Sequence, residues 1–136
     1  MSRAVLDASS LLAYLQDEEG AVEVEEALAQ RAAIGAANFA EALSALSQAG
    51  AEPRAAVAEL EERGVLGGLL VVEPVTLEDA VVIAELRGPT REYGLGLGDR
   101  ACLALGVRLG LPLLTADRVW VELEGALGLQ IKSIRE

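Results

Sequence analysis

The chain has 136 residues, 22 acids against 11 bases for a formal net charge of −11, and 52% apolar residues. That size and apolar content imply one folded domain over residues 1–136 and exclude a disordered chain, while no apolar run approaches the roughly 18–20 residues that cross a bilayer. The absence of histidine removes Ser-His-Asp relays and histidine-bound zinc, and the lone cysteine, Cys102, excludes an internal disulfide and thiolate zinc.

Taken in chain order, the pattern alternates short apolar runs with helical periodicity. A strand is predicted over 4–7, where Asp7 would interrupt the apolar region of a signal peptide, so a cytoplasmic protein without a membrane anchor is expected. Helices follow at 9–16 and 21–30, broken at Glu19-Gly20. The run 32–36 is the second strand, and a helix over 38–49 stops at Gly50. Pro53 suits the first turn of a helix reaching about Arg63. A strand over 69–73 precedes a helix over 76–87 that opens on Thr76 and stops at Gly88-Pro89. Asp99 opens a helix over 99–109, ended by Gly110-Leu111-Pro112. A strand over 111–114, a short helix over 116–124 and a strand over 130–134 complete the chain. Most of the strands lack strict alternation, which suits parallel strands covered on both faces. The expected fold is three-layer α/β, with a central parallel sheet of about five strands flanked by helices.

Four carboxylates stand at junctions between these elements: Asp7, Glu41, Asp99 and Asp117. Singly, each has a structural reading. Asp7 and Asp99 could cap helices, Glu41 lies three residues after Asn38 in a capping-box spacing, and Asp117 could sit in a helix's first turn. In a parallel α/β sheet, however, such junctions lie along one edge and converge. Two carboxylates about 4 Å apart repel by roughly 4 kcal/mol at an effective dielectric near 20, several times what a helix dipole returns. Gathering four therefore calls for a hard cation or raised pKa values, and oxygen ligands select Mg²⁺ or Mn²⁺. Metal-assisted phosphodiester hydrolysis is the chemistry this donor set suits. The acidic balance argues against a broad basic footprint for nucleic acid, although it falls mostly in residues 1–68; Arg87, Arg91, Arg100 and Arg118 lie in the less acidic half.

Four blocks carry a family resemblance: Val5-Leu6-Asp7-Ala8-Ser9-Ser10-Leu11-Leu12, Ala37-Asn38-Phe39-Ala40-Glu41-Ala42-Leu43, Gly94 to Leu105 around Gly98-Asp99-Arg100, and Leu113-Leu114-Thr115-Ala116-Asp117-Arg118-Val119-Trp120. In this order and spacing the chain resembles the PIN-domain ribonucleases, specifically the toxin half of VapBC-type toxin–antitoxin pairs. The resemblance implies a Mg²⁺- or Mn²⁺-dependent endoribonuclease that acts on RNA, forms a homodimer and is silenced by a cognate antitoxin. It makes Asp7 and Asp99 the leading metal ligands, with Glu41 and Asp117 completing the cluster and the hydroxyls of Ser9 and Thr115 supporting it. One departure is Gly96, where the family often has Ser or Thr.

Other features have plainer readings. Gly94-x-Gly96-x-Gly98 lacks the Lys-Ser/Thr ending of a phosphate loop and is expected to be a turn that lets Asp99 approach the site. Trp120 and Phe39 are expected to pack, and Arg100 and Arg118 to lie at the surface. The acids Asp17, Glu18, Glu19, Glu23, Glu25 and Glu26 form a solvated face; a sharper reading has them draw a basic antitoxin tail to a groove of Leu11, Leu12, Leu15 and Val22. The competing functions are a catalytically weak PIN-fold binding module, which Gly96 keeps open, and a phosphotransfer or receiver-like domain. Ser9 in place of a second aspartate and Lys132 inside a strand fit the last poorly.

Overall fold

The computed structural model describes residues 1–136. Five strands, β1 (Val5–Leu6), β2 (Ala32–Gly35), β3 (Leu70–Glu73), β4 (Leu113–Thr115) and β5 (Ile131–Ser133), form one sheet in the order β3-β2-β1-β4-β5. Every neighbouring pair is parallel. The helices are α1 (Ala8–Leu15), α2 (Ala21–Ala29), α3 (Ala36–Gln48), α4 (Pro53–Glu62), α5 (Leu77–Glu85), α6 (Leu97–Leu109) and α7 (Glu124–Leu127). They cover both faces, giving the expected three-layer α/β architecture. No helix is long and apolar enough to cross a membrane.

The missing alternation has the expected cause. Adjacent residues of the central strands bury opposite side chains into two separate cores. Leu6 and Leu114 pack with Leu11, Val24, Leu28, Ile34 and Leu60 on one face. Val5 and Leu113 pack with Ile83, Leu103, Leu105, Trp120 and Ile131 on the other. Trp120 is thus a core residue, and Phe39 lies partly buried against the first core. The two edge strands open to solvent, β3 through Val71 and Val72 and β5 through Lys132.

The helix starts correct the sequence reading. α3 begins at Ala36 directly from β2, with extended Gly35 as its cap, so Asn38 is its third residue rather than its cap. α6 begins at Leu97 with Gly96 as cap, which places Asp99 at the third position. Both caps are glycines with no side-chain oxygen, the signal by which a helix start is legible. The helix expected over 116–124 is a 3₁₀ segment, Arg118–Leu123, leading into α7. Thr76 does cap α5, in a reciprocal box with Asp79.

Strand order reverses between β1 and β4, whose sequence neighbours lie on opposite sides. In open parallel sheets the carboxyl ends of the two strands flanking such a reversal leave a crevice. Asp7 follows β1 and Thr115 ends β4, so both stand there.

Candidate active site

Asp7 is the N-cap of α1 and is almost fully buried, 5% exposed. The Ser10 backbone N–H donates to its Oδ1 at 2.8 Å, and the Ser9 hydroxyl spans both oxygens at 2.8 and 2.9 Å. From the neighbouring strand, the Thr115 hydroxyl donates to Oδ2 at 2.6 Å. Burial pushes the Asp7 carboxyl above its ordinary value, and the bonds from Thr115, Ser10 and Ser9 offset that only in part.

The same hydroxyls tie β1 to the end of β4. Thr115 Oγ1 accepts from the Asp117 N–H at 3.1 Å, and Ser9 Oγ accepts from the Ala116 N–H at 3.0 Å. Asp117, exposed, turns its Oδ1 to the Val119 N–H at 3.0 Å and caps the 3₁₀ segment. Asp99 reaches back to the Gly96 N–H at 3.1 Å. Its carboxyl is raised mainly by partial burial, with the charge of Asp117 adding to the effect.

Glu41 comes from α3, and its carboxylate lies against the backbone of Gly98 on α6. A Cβ added at Gly98 would stand 2.5–2.6 Å from the three atoms of that carboxylate. Asn38, one turn earlier, donates from Nδ2 to Glu41 Oε1 at 3.1 Å and to the Gly98 carbonyl at 2.8 Å.

The buried Cys102 thiol marks where these charges meet. It is pushed well above its usual value by burial first and then by the charges of Asp7, Asp99 and Glu41. Asp7 after β1, Glu41 on α3 and Asp99 on α6 thus each lie near enough to Cys102 for their charge to raise its thiol, and Asp117 near enough to Asp99 to raise its carboxyl. No three of them close into a coordination set; Asp117, Asp99 and Glu41 are each turned to local hydrogen-bond donors, as mutual repulsion favours.

None of the four pairs with a cation. The chain's ion pairs are Arg63–Glu59, Arg135–Glu18 and Arg108–Asp79. Asp79 is the telling contrast, because it too is buried, but the Arg108 Nε lies 2.9 Å from its Oδ1. Although burial opposes it, hydrogen bonds from Thr76 and Arg108 and the Arg108 charge hold Asp79 below its usual value. Asp79 has a cationic partner within the fold; Asp7, Glu41, Asp99 and Asp117 have none.

Arg100 donates from Nη1 to the Ile83 carbonyl at 2.9 Å, which fastens α6 to α5. Arg118 donates to the Glu136 carbonyl. The groove read from Leu11, Leu12, Leu15 and Val22 is not formed: Leu11 is fully buried in the core and Val22 is 66% exposed. Leu15 instead lines a cleft with Leu46, Ala55, Ala56 and Leu60, between α1, α3 and α4. Sequence reading missed the clamp of Asn38 and Gly98 on Glu41. The i, i+3 spacing of Asn38 and Glu41 signals a same-face pair only once α3 is known to start at Ala36.

No curated protein matches the sequence. The profile of the PIN domain family matches residues 4–126, a span that includes all four acids. The chain belongs to the PIN domain family. Solved structures similar to this PIN domain include a toxin–antitoxin complex from Klebsiella pneumoniae, 21% identical, with a TM-score of 0.71 and 98% of each chain covered. A DNA-bound VapBC from Salmonella typhimurium is 19% identical, with a TM-score of 0.70, covering 98% of this chain and 99% of that one. VapBC-5 from Mycobacterium tuberculosis, of the VapBC family of toxin–antitoxin systems, is 26% identical with a TM-score of 0.59 and complete coverage of both chains.

Proposed function

We propose that this PIN domain is a Mg²⁺- or Mn²⁺-dependent endoribonuclease and the toxin of a toxin–antitoxin pair, working in the cytoplasm as a homodimer. The family membership supports nuclease chemistry, and the likeness to VapBC-type complexes supports an antitoxin partner. The observation that carries the reading is the contrast between two buried acids: Asp79 is paired with Arg108, and Asp7 has no ion pair.

The donor set fits a hard divalent cation. Asp7 receives three donors, the Ser9 hydroxyl, the Ser10 amide and the Thr115 hydroxyl, against about four lone-pair sites on a carboxylate. The Ser9 hydroxyl has one proton shared between both oxygens, so one of its two contacts can give way to an ion, and a positive charge would offset the burial that raises Asp7. Asp7 and Asp99 would hold the ion, with Glu41 and Asp117 completing the set directly or through water. All of these are oxygen ligands, as Mg²⁺ and Mn²⁺ prefer. When bound, such an ion supplies charge stabilisation to the phosphoryl oxygens and lowers the pKa of water.

The remaining work falls to the chain's own side chains. Ser9 and Thr115 hold the Asp7 carboxylate in one orientation between the ends of β1 and β4. Glu41 and Asp117 are the more exposed acids, and in this reading one of them takes a proton from the attacking water. Attack by water leaves a 5′-phosphate and a 3′-hydroxyl and makes no use of the RNA 2′-hydroxyl. A catalytically weak binding module is the second reading, favoured by Gly96, which caps α6 with no hydroxyl.

Cleavage of end-labelled structured RNAs with Mg²⁺, with Mn²⁺ and with EDTA tests the proposal, comparing wild type with Asp7→Asn and Asp99→Asn. Metal-dependent scission lost in both variants supports the nuclease; cleavage in EDTA, or full activity in both variants, refutes it. RNA left intact by pure wild type at any metal concentration favours the binding module. Co-purification with the product of a neighbouring reading frame for a small DNA-binding protein tests the toxin role.

A further inference from the structure

Asn38 occupies the third position of α3 and is 1% exposed. Both of its amide hydrogens are engaged, one by Glu41 Oε1 at 3.1 Å and the other by the Gly98 carbonyl at 2.8 Å. The neighbours fix which way the amide faces. Reversed, its oxygen would confront a carboxylate and a carbonyl, neither of which can donate. In the orientation taken, Oδ1 is left buried without any partner. An orphaned buried acceptor is unfavourable and calls for a reason. Packing alone does not supply one, since an apolar residue of similar volume would leave no orphan. What asparagine offers here is a pair of donors without charge. A lysine or arginine would also reach Glu41, but would neutralise it.

Gly98 points the same way. It lies inside the first turn of α6 and its φ is not in the left-handed region, so the backbone does not demand glycine there. Space does. A Cβ at this position would come within 2.5–2.6 Å of Glu41 Oε2, Cδ and Oε1. Asn38 draws the carboxylate in, and Gly98 leaves the slot that receives it.

We infer that Asn38 is a positioning residue: together with the bare backbone of Gly98 it clamps the Glu41 carboxylate against the first turn of α6, in register with Asp99. A glutamate on an exposed helix face otherwise samples several rotamers, and fixing it before the ion and substrate arrive removes that ordering from the binding step. This inference rests on the role given to Glu41 in the proposed nuclease site.

The test uses the full chain carrying Asn38→Ala or Gly98→Ala, each in the wild-type and Glu41→Ala backgrounds. Mn²⁺ affinity is measured without RNA by electron paramagnetic resonance, kcat and KM on a cleaved RNA, and the thermal midpoint by calorimetry. Each single variant is expected to lose about 10-fold in Mn²⁺ affinity and in kcat, the scale of losing a residue that orients a ligand, with KM within about twofold. In the Glu41→Ala background Gly98→Ala is expected to cost nothing further, because it acts only through Glu41, and Asn38→Ala far less than in wild type, because only its bond to the Gly98 carbonyl then remains to be lost. Gly98→Ala is expected to keep or raise the thermal midpoint, alanine being the better helix former; its lost affinity is then not misfolding, and it carries the test if Asn38→Ala does not fold. Losses that add in full to that of Glu41→Ala, or an unchanged Mn²⁺ affinity in both single variants, overturn the clamp. A chain whose Mn²⁺ affinity shows the coupling but which leaves RNA intact keeps the clamp and overturns the nuclease. Cleavage by wild type with fully additive losses does the reverse, and a chain that binds no Mn²⁺ overturns both.

Discussion

Thr115→Val isolates the bond that joins the two strands at the sheet reversal. Valine keeps the shape of threonine and removes one oxygen, which donates to Asp7 Oδ2 at 2.6 Å and accepts from the Asp117 N–H at 3.1 Å. A hydrogen bond to an ionised partner contributes about 1.5–3 kcal/mol, and an amide left partly buried without an acceptor costs about 1–3 kcal/mol. The Asp117 amide can recover water at its exposed end, so the sum is expected near 2–4 kcal/mol of unfolding free energy. For a domain of this size that lowers the thermal midpoint by roughly 6–15 °C. The loss also depends on pH. Thr115 is the foremost of the bonds that hold the Asp7 carboxyl down against burial, so its removal raises Asp7 further and matters most where Asp7 is ionised. As the pH falls through the raised Asp7 value, the carboxyl becomes a neutral acid and the difference between variant and wild type narrows. Urea unfolding at a series of pH values measures both quantities. A loss below about 0.5 kcal/mol, or a loss that does not shrink on acidification, refutes the view that Thr115 holds an ionised Asp7.

Asp7→Asn is expected to lower RNA cleavage by about 100-fold or more while leaving the protein at least as stable as wild type at neutral pH. A carboxyl raised by burial weighs against folding above its native value and ceases to do so as the pH falls through it; scanning calorimetry at pH 8 checks this, and a lower midpoint counts against it. Arg108→Ala removes the Asp79 partner at 2.9 Å and a bond to the Pro74 carbonyl at 3.1 Å. Arg108 is 29% exposed in its side chain, so solvent screens part of the pair and a loss of about 1–3 kcal/mol is expected, with cleavage unchanged. Asp79 lies below its ordinary 3.8, so the stability this pair gives is present above that value and lost as the pH falls through the depressed one. The gap between Arg108→Ala and wild type should narrow in strong acid to what the bond to the Pro74 carbonyl contributes. Gly20→Ala is expected to destabilise by about 1–2 kcal/mol, because φ is +95° there and a Cβ would meet Ile134 at 2.7 Å; a thermal midpoint equal to that of wild type would show that the α1–α2 turn can rearrange.

Much of the architecture was legible because it depends on local chemistry. The apolar runs without alternation marked strands buried on both faces, Pro53 marked the start of α4, and Thr76 marked that of α5. Each acid was recognisable as lying at a strand–helix junction. The errors fell where local chemistry gives no sign. Gly35 and Gly96 cap α3 and α6 without a side-chain acceptor, so sequence alone puts both starts too late and makes a cap of Asn38, which is buried. Leu11 was assigned to a surface groove because an amphipathic stripe does not say which neighbours will cover it; α2, β2 and α4 supply them.

By itself the sequence determined the periodicities, the parallel α/β class and the set of available ligands, because these follow from residue type and spacing along one segment. Tertiary structure alone decided which acids are neutralised. Asp79 and Arg108 are 29 residues apart and meet, while Asp7 finds Thr115 across 108 residues and no cation at all. Pairing and desolvation depend on distances through space, which spacing along a chain does not encode; the order of five strands sets them.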